Sequence, residues 1–308
     1  MADIVKALRE ATGSAGGYLV PQEFAARVYE LIQEKAVTLA DLEQVNMNHE
    51  VMYIPKVTSG TTAYWVAETG TISTSEMGFG RITLTAKKVA SLVEASTEVL
   101  EDANVSIANM IVDQMARDLA LKVDDEVLNG TGGTFAGLRF TGSFTNSYSS
   151  GAGTSSGNIN LTAISKAVDT ILTDNHSFPN VALFHTRTIG SLRVLTDGSA
   201  RPIFNQETWG SPLLREGIVG NVWGVPVKPA NQLPINLSVG TGAGETNSCT
   251  EAIIGVSKMY GIYGNRRDLR FKRDYKITTD EEQYQVTMRS GFSVKYPNAY
   301  CVIRAIKD

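Results

Sequence analysis

The 308-residue chain has little of what most enzymes and secreted proteins carry. Cysteine occurs twice, at Cys249 and Cys301. Two thiols so far apart exclude a disulfide framework and a metal knuckle, and both read as small buried residues. The three histidines, His49, His176 and His185, are not at metal-ligand spacing. There is no GxxxxGK[ST] phosphate loop and no GxSxG nucleophile elbow. The glycine-rich pieces at 130–137 and 240–244 lack the strand, helix start and later acidic partner of a dinucleotide site. No apolar run approaches the ~20 residues of a membrane span. The first residues, MADIVKALREATGSAGG, lack the apolar centre of a signal peptide. Positive charge is not in excess: the formal charge is −4, which argues against a chain whose main task is gripping a nucleic-acid backbone. The expectation is a non-enzymatic protein without cofactor or metal, folded in the cytosol.

What is present is a globular composition, 43% apolar and 19% charged with both signs mixed. The length suits one large domain or two moderate ones. The most regular stretch runs from Asn104 to Gly130. Apolar residues recur at Ala108, Ile111, Met115, Leu119, Val123 and Val127, with Val112, Ala120 and Leu128 beside them. That spacing predicts one long amphipathic helix, capped by Asn104 or Ser106 and stopped at Asn129-Gly130. Such a helix needs an equally long surface to lie on. Asp124-Asp125-Glu126 near its end reads first as a solvated face, and otherwise as a site for a cation or a neighbour's arginine.

The remaining elements follow in order. Residues 1–17 form an arm with a short helical pattern, followed by a helix that Pro21 starts and Phe24, Val28, Leu31 and Ile32 face. Alternation over Val45–Lys56 predicts a strand. Residues 57–86, rich in Thr, Ser and Gly, predict a long hairpin with an irregular tip. Its large apolar residues are few, mainly Tyr64, Trp65, Ile72, Met77 and Phe79. A two-stranded ribbon is marginal alone, so it is expected to lie on something outside its own core. Lys87–Ala95 reads as a strand and Ser96–Ala103 as a short helix. SFTNSYSSGAGTSSGN is a loop at a domain boundary. Residues 159–260 alternate helix and strand as a mixed α/β module, closed by EAIIGVSKMYGIYG as one strand. The terminal LRFKRDYKI, YQVTMRSGFSV and AYCVIRAI are strands whose simplest partners are the early ones. The first domain is then discontinuous, with the α/β module inserted. One charge pattern stands out: Arg266, Arg267, Arg270, Lys272 and Arg273 lie within eight residues. On a regular strand Arg266, Arg270 and Lys272 share a face. They read either as a rim meeting carboxylates such as Glu68 or Glu76 of another subunit, or as solvated charges that guard a strand edge.

The order of these pieces resembles one family. GGYLVPQEF, a hairpin with AYWVAETGTI, the run KKVASLVEASTEVLEDANVSIANMIVDQMARDLALKVDDEVLNGTGGTFAGL, then TRTIGSLRVLTDGSARPIF and VWGVPVKPANQLP are similar to the major capsid proteins of tailed double-stranded DNA bacteriophages. The resemblance runs from about Gly16 to Ile306, and LNGTGGTFAGL is its most specific part. It implies an α+β fold of the Hong Kong 97 type. The implied parts are an N-arm over 1–37, a peripheral P-domain beginning at 38–56, an E-loop hairpin over 57–86, and P-domain again over 87–140 with a spine helix over 105–129. An inserted α/β A-domain over 141–261 and a last P-domain segment over 262–308 complete it. The implied function is a self-assembling shell of pentamers and hexamers that packages DNA, icosahedral or prolate, located in the virion and assembled in the host cytoplasm. The implied partners are other copies, portal and scaffolding proteins, decoration proteins and non-specifically held DNA, with no membrane. The residues expected to make inter-subunit contacts are Tyr64, Trp65, Glu68, Glu76, Phe79, Arg266, Arg267, Arg270 and Lys272.

Two departures matter. Some family members cross-link an E-loop lysine to a neighbour's asparagine, but no lysine occurs between Lys56 and Lys87, so a non-covalent shell is expected. The chain also reaches GGYLVP almost at once, which implies a separate scaffold or a processed form. The alternatives are an encapsulin-like nanocompartment shell of the same fold, and a metabolic α/β enzyme using the 159–260 module.

Overall fold

A computed structural model describes residues 37–98, 107–140, 142–149, 158–175, 177–196, 199, 201–206, 217–237 and 248–307. The expected N-terminal arm and its helix, the helix caps at Asn104 and Ser106, the end of the 96–103 helix and the 240–244 loop lie outside these residues.

A four-stranded sheet takes its length from β11 (Gly261–Lys276) and β12 (Glu281–Val294), which pair antiparallel. β4 (Lys87–Ser96) pairs antiparallel with the far edge of β12, and β1 (Glu43–Asn46) pairs parallel with β11. Helix α1 (Ile107–Asn129) lies across one face. Its 23 residues span about 35 Å, and the long strands give it that much surface. Met115, Leu119, Val123 and Val127 pack with Tyr263, Tyr284, Met288 and Phe292 of the sheet. Val112, Ala116 and Ala120 pack beside Leu269 and Phe271. The helical period read from the sequence is the one that is buried.

The helix stop explains why LNGTGGTFAGL reads as a unit. After Gly130 the chain doubles back, with Thr131 bridged to Ala136. The N–H groups of Gly130, Leu138 and Arg139 donate to the carbonyls of Glu126, Val127 and Leu128. Carbonyls that a helix end leaves unpaired are thereby satisfied. The return is so close that a Cβ on Gly137 would lie 2.5 Å from the Gly130 nitrogen and 2.8 Å from the Leu128 oxygen.

The second sheet has seven strands: β5 (Asn146–Ser149), β13 (Tyr300–Lys307), β10 (Cys249–Gly255), β6 (Val181–Phe184), β9 (Val225–Pro229), β8 (Gly220–Val222) and β7 (Asn205–Gln206), in that spatial order. Helices α2 (Leu161–Asn175) and α3 (Thr186–Val194) share with it a core of Ile164, Ala167, Ile171, Phe184, Ile189, Val227, Ile254 and Ile303. Its other side joins the helix core: Leu183, Ile253 and Val302 pack in the same cluster as Leu119 and Val127. Central strands therefore bury both faces and read as continuous apolar runs, as VALF does.

The remaining sheet is the hairpin of β2 (Val51–Ser59) and β3 (Gly78–Thr85). Its base crosses the face of the four-stranded sheet away from α1. Ile82, Leu84 and Ala86 pack there on Met47 and Ile262. Gly264 and Gly291, direct partners across β11 and β12, make room for the crossing. A Cβ on Gly264 would lie 2.7 Å from Leu84 Cδ2, and one on Gly291 2.9 Å from the Thr85 oxygen.

Mixed helix and sheet agrees with the α+β expectation, but several local readings are corrected. Val45–Lys56 is two strands, because the chain bends at Asn48–Glu50 and β1 and β2 join different sheets. EAIIGVSKMYGIYG is likewise two, broken by a turn where Lys258 takes a positive φ of 62°. Only β11 and β12 pair with early strands. AYCVIRAI, expected beside them, is β13 and pairs with β10 and β5. Strand patterns specify a face and not a partner. Part of the Ser/Gly-rich loop is the edge strand β5.

Candidate interaction surfaces

The hairpin ends in a tip without a core. Every residue from Val57 to Met77 is exposed. Ser59 and Gly78 close the paired part, and beyond them only local bonds hold the shape. The Tyr64 hydroxyl donates to the Ser73 carbonyl, the Thr62 N–H to Ser75 Oγ at 3.3 Å, and the Gly78 N–H to Ser59 Oγ at 3.0 Å. Trp65 is fully exposed, Ile72 is 77% exposed and Phe79 72%. Glu68 and Glu76 are exposed and make no ion pair with a described residue. About 20 residues with several large apolar side chains in water is an unpartnered surface.

The basic strand is less regular than its sequence suggests. Register shifts fall between Asn265 and Arg267 and between Arg267 and Arg270. They move the cations relative to strict alternation. Beyond them Leu269 and Phe271 turn to the helix while Arg270 and Lys272 point from the opposite, open face. Arg267 donates to Thr287 Oγ1 at 3.0 Å. Arg266 reaches Glu50 of its own chain at 3.9 Å, and Arg289 reaches the same carboxylate at 3.8 Å. Arg273 pairs with Glu282 and stacks over Tyr284, so it belongs to the ribbon itself.

A third surface is internal, where the four-stranded sheet, α1 and the seven-stranded sheet meet. Asp124 is not on a solvated face. It is 3% exposed, and its Oδ1 accepts the Thr38 N–H at 3.0 Å. The helical period puts Asp124 beside Val123 and Val127 on the inward side. Asp125 and Glu126 do face outward and meet Lys122 at 3.0 and 3.4 Å. Asp41, also buried, accepts from Lys228 Nζ at 2.7 Å. The Asp41 Oδ2, Thr38 Oγ1 and Tyr260 hydroxyl have no hydrogen-bond partner in the structure. Burial pushes the Asp124 carboxyl up to about 6, with the Asp125 and Asp41 charges adding to it and the Thr38 bonds opposing it. Burial also raises Asp41, against the pull of Lys228. Nearby, Arg139 ties the end of α1 to the seven-stranded sheet: its Nε donates to Glu251 at 2.6 Å and its Nη1 to Asn129 at 2.7 Å, and Tyr300 donates to the Leu138 and Ser143 carbonyls.

Sequence reasoning missed Lys88, Arg289, Asp41 and the burial of Asp124. The helical phase alone would have flagged Asp124; the placing of Lys88 and Arg289 depends on strand pairing, and that of Asp41 on the packing of a short 3-10 turn, Leu39–Asp41, against Lys228. Both cysteines are buried and free, as read. Among the described residues no group of His, Cys, Asp and Glu is placed to hold a metal, and no helix is long and apolar enough to cross a membrane.

The architecture is that of a capsid subunit. The capsid of an empty GTA particle superposes with a TM-score of 0.68 at 17% identity, covering 88% of this chain and 90% of that one. Structures from Microbacterium phage Oxtober96 and Mycobacterium phage Adephagia give 0.65 and 0.63 at 18% and 16% identity, each covering 89% of this chain and 91% and 90% of theirs. The chain belongs to the phage capsid family, whose profile it matches over residues 16–305. Among curated proteins it is similar to the major capsid protein of Klebsiella oxytoca phage phiKO2, 23% identical over 76% of this chain and 54% of that one. A shorter match, 28% identical over 39% of this chain and 20% of the other, is to the major capsid protein of Halomonas phage phiHAP-1. The chain thus spans about half the length or less of these two relatives.

Proposed function

We propose that the chain is the structural subunit of a tailed-phage head, a Hong Kong 97-type shell protein that assembles with copies of itself around double-stranded DNA. The observation that carries this is the hairpin tip, 57–77, wholly exposed yet bearing Trp65 and Ile72. Such a ribbon gains burial only against another molecule, by the area-dependent term that folds a domain. In this reading 57–86 is the E-loop and 1–37 the N-arm. The P-domain comprises 38–56, 87–140 with the spine helix, and 262–308, and 141–261 is the A-domain. The strand β13 then returns from the P-domain segment into the A-domain sheet, which ties the two together. Tyr64, Trp65, Glu68, Glu76 and Phe79 meet a neighbour carrying Arg266, Arg267, Arg270 and Lys272. The particle is a virion shell formed in the host cytoplasm. Its further partners are portal and scaffolding proteins, decoration proteins and weakly held DNA. It does no chemistry, and without an E-loop lysine it is held non-covalently.

Electron microscopy and light scattering of the purified chain, with its scaffold supplied, test this. Closed shells or capsomer rings are expected. A strictly monomeric species under all salt and pH conditions overturns it. On a denaturing gel the particles run as single chains; a covalent ladder refutes the non-covalent reading.

A further inference from the structure

Residues 37–42 thread between α1 and the two sheets, with Leu39 and Leu42 set into the shared core. The segment is a single 3-10 turn, Leu39–Asp41. Three hydrogen bonds tie it to other elements. The Thr38 N–H donates to Asp124 Oδ1 of α1 at 3.0 Å, Lys228 Nζ of β9 donates to Asp41 Oδ1 at 2.7 Å, and the Lys258 N–H donates to the Asp41 carbonyl at 2.7 Å. Two of the three rest on carboxylates that are buried, Asp41 and Asp124. Charge is out of balance here. With both carboxyls ionised, two negative charges face the ammonium of Lys228. The other charged groups around the turn do not correct this: Asp125, on the outer side of α1, is met by Lys122, Glu43 is paired with Lys295 at 2.6 Å, and Lys258 is exposed. Hydrogen bonding is out of balance too. Asp41 Oδ2 and the Tyr260 hydroxyl are buried without a partner, and each costs stability. Burial, and after it the Asp41 and Asp124 charges, hold the Tyr260 phenol well above its ordinary range, so it stays a neutral hydroxyl.

One proton relieves both imbalances. It cancels the extra negative charge, and it turns a carboxyl into a donor in a cluster that holds an orphan acceptor. We propose that residues 37–42 are a proton-operated strap, closed against α1 and β9 while the Asp41–Asp124 cluster holds one proton and opening when both carboxyls are ionised. The inference does not rest on the shell reading, because it concerns the single chain. Ionisation drives opening because two like charges in one desolvated site repel and each is better solvated outside it. The strap is also the part able to yield, since one turn and three bonds hold it while α1 and the central strands are held by continuous ladders. The sign follows from Asp124. Its folded value, about 6, lies above the ordinary 3.8, so closure is favoured on the acid side and lost as pH rises through about 6. Asp41, raised by burial, acts in the same direction.

Native-state hydrogen exchange on the unassembled chain tests the strap. The Thr38 and Asp41 amides report its opening, and the Ile254 amide of β10 reports the body. After correction for the intrinsic rate at each pH, protection of Thr38 and Asp41 should fall about tenfold between about pH 5 and about pH 8. It should stay below that of Ile254 and be insensitive to dilute urea, the mark of a local opening that exposes little surface. Asp124→Asn keeps an acceptor for the Thr38 N–H and removes the titration, so both amides should stay protected at either pH. Three outcomes overturn the strap: Thr38 protection that does not change with pH; a tenfold fall that persists in Asp124→Asn; or Thr38 and Ile254 sharing one protection and one urea dependence, which would place the proton loss in global unfolding. Particles are not needed for any of these measurements, so failure of the shell reading shows separately.

Discussion

The seven-stranded sheet and the hairpin are both built of β-strands, yet they solve burial in opposite ways. VALF of β6 has helices on one side and the α1 core on the other, and all four residues are buried. The hairpin has a comparable supply of apolar groups at its tip and buries none of them. The difference is neighbours. β6 lies between β10 and β9 in the middle of a closed stack, while β2 and β3 pair only with each other and are anchored only at their base. A region with its own core has its stability written within the chain. A region without one adds little to the stability of the chain, however many apolar groups it carries.

Substitutions sharpen the contrast. Ile254→Ala in the seven-stranded sheet leaves a cavity between β10 and the helices. It should cost about 2–5 kcal/mol in denaturant unfolding of the unassembled chain. A loss under 1 kcal/mol would show that this sheet is not the packed region described. Gly137→Ala places a methyl against backbone that cannot move aside. A destabilisation of about 3 kcal/mol is expected, and a neutral result would mean that the return after α1 is looser than its hydrogen bonds indicate.

The buried Asp124 gives a pH dependence. Its folded value, about 6, lies above the ordinary 3.8, so the folded state holds a proton that the unfolded chain has lost. The stability it contributes is complete below 3.8 and disappears as pH rises through about 6. Raised Asp41 acts in the same direction. The shift corresponds to roughly 2–3 kcal/mol. Asp124→Asn, which keeps an acceptor for the Thr38 N–H, should therefore stabilise the chain by about 2 kcal/mol at neutral pH. It should also flatten the stability profile between the two values. Destabilisation at pH above 7, or an unchanged slope, would show Asp124 to be charged and well solvated instead. The smallest effect belongs to the hairpin. Trp65→Ala should alter unfolding of the unassembled chain by under about 0.5 kcal/mol while impairing assembly. A large stability loss would mean that Trp65 packs within its own chain, and the comparison of the two regions would fail.

Much of this was legible because it is local. The 3.6-residue spacing of Ile111, Met115, Leu119 and Val123 specifies a helix whatever it packs on. Asn129-Gly130 specifies its end, and the run of Thr, Ser and Gly over 57–86 leaves a hairpin with little to bury. The same periodicity held a message about Asp124 that its acidic neighbours masked: three successive charged residues cannot all lie on one face of a helix. The basic residues of β11 were visible as a cluster, but their geometry was not, because two bulges in the pairing with β12 decide which of them face outward.

The sequence by itself determined the helix, the tendency to form strands and the exposed ribbon, since each depends on spacing along the chain or on residue type. The tertiary structure alone decided that β13 closes the seven-stranded sheet, that Gly264 and Gly291 form the saddle under the hairpin, and that Lys88, Arg289 and Arg267 stand in one row. Those are pairings between residues far apart in sequence. A strand's alternation says which side chains share a face, and only the folded sheet says whose side chains they stand beside.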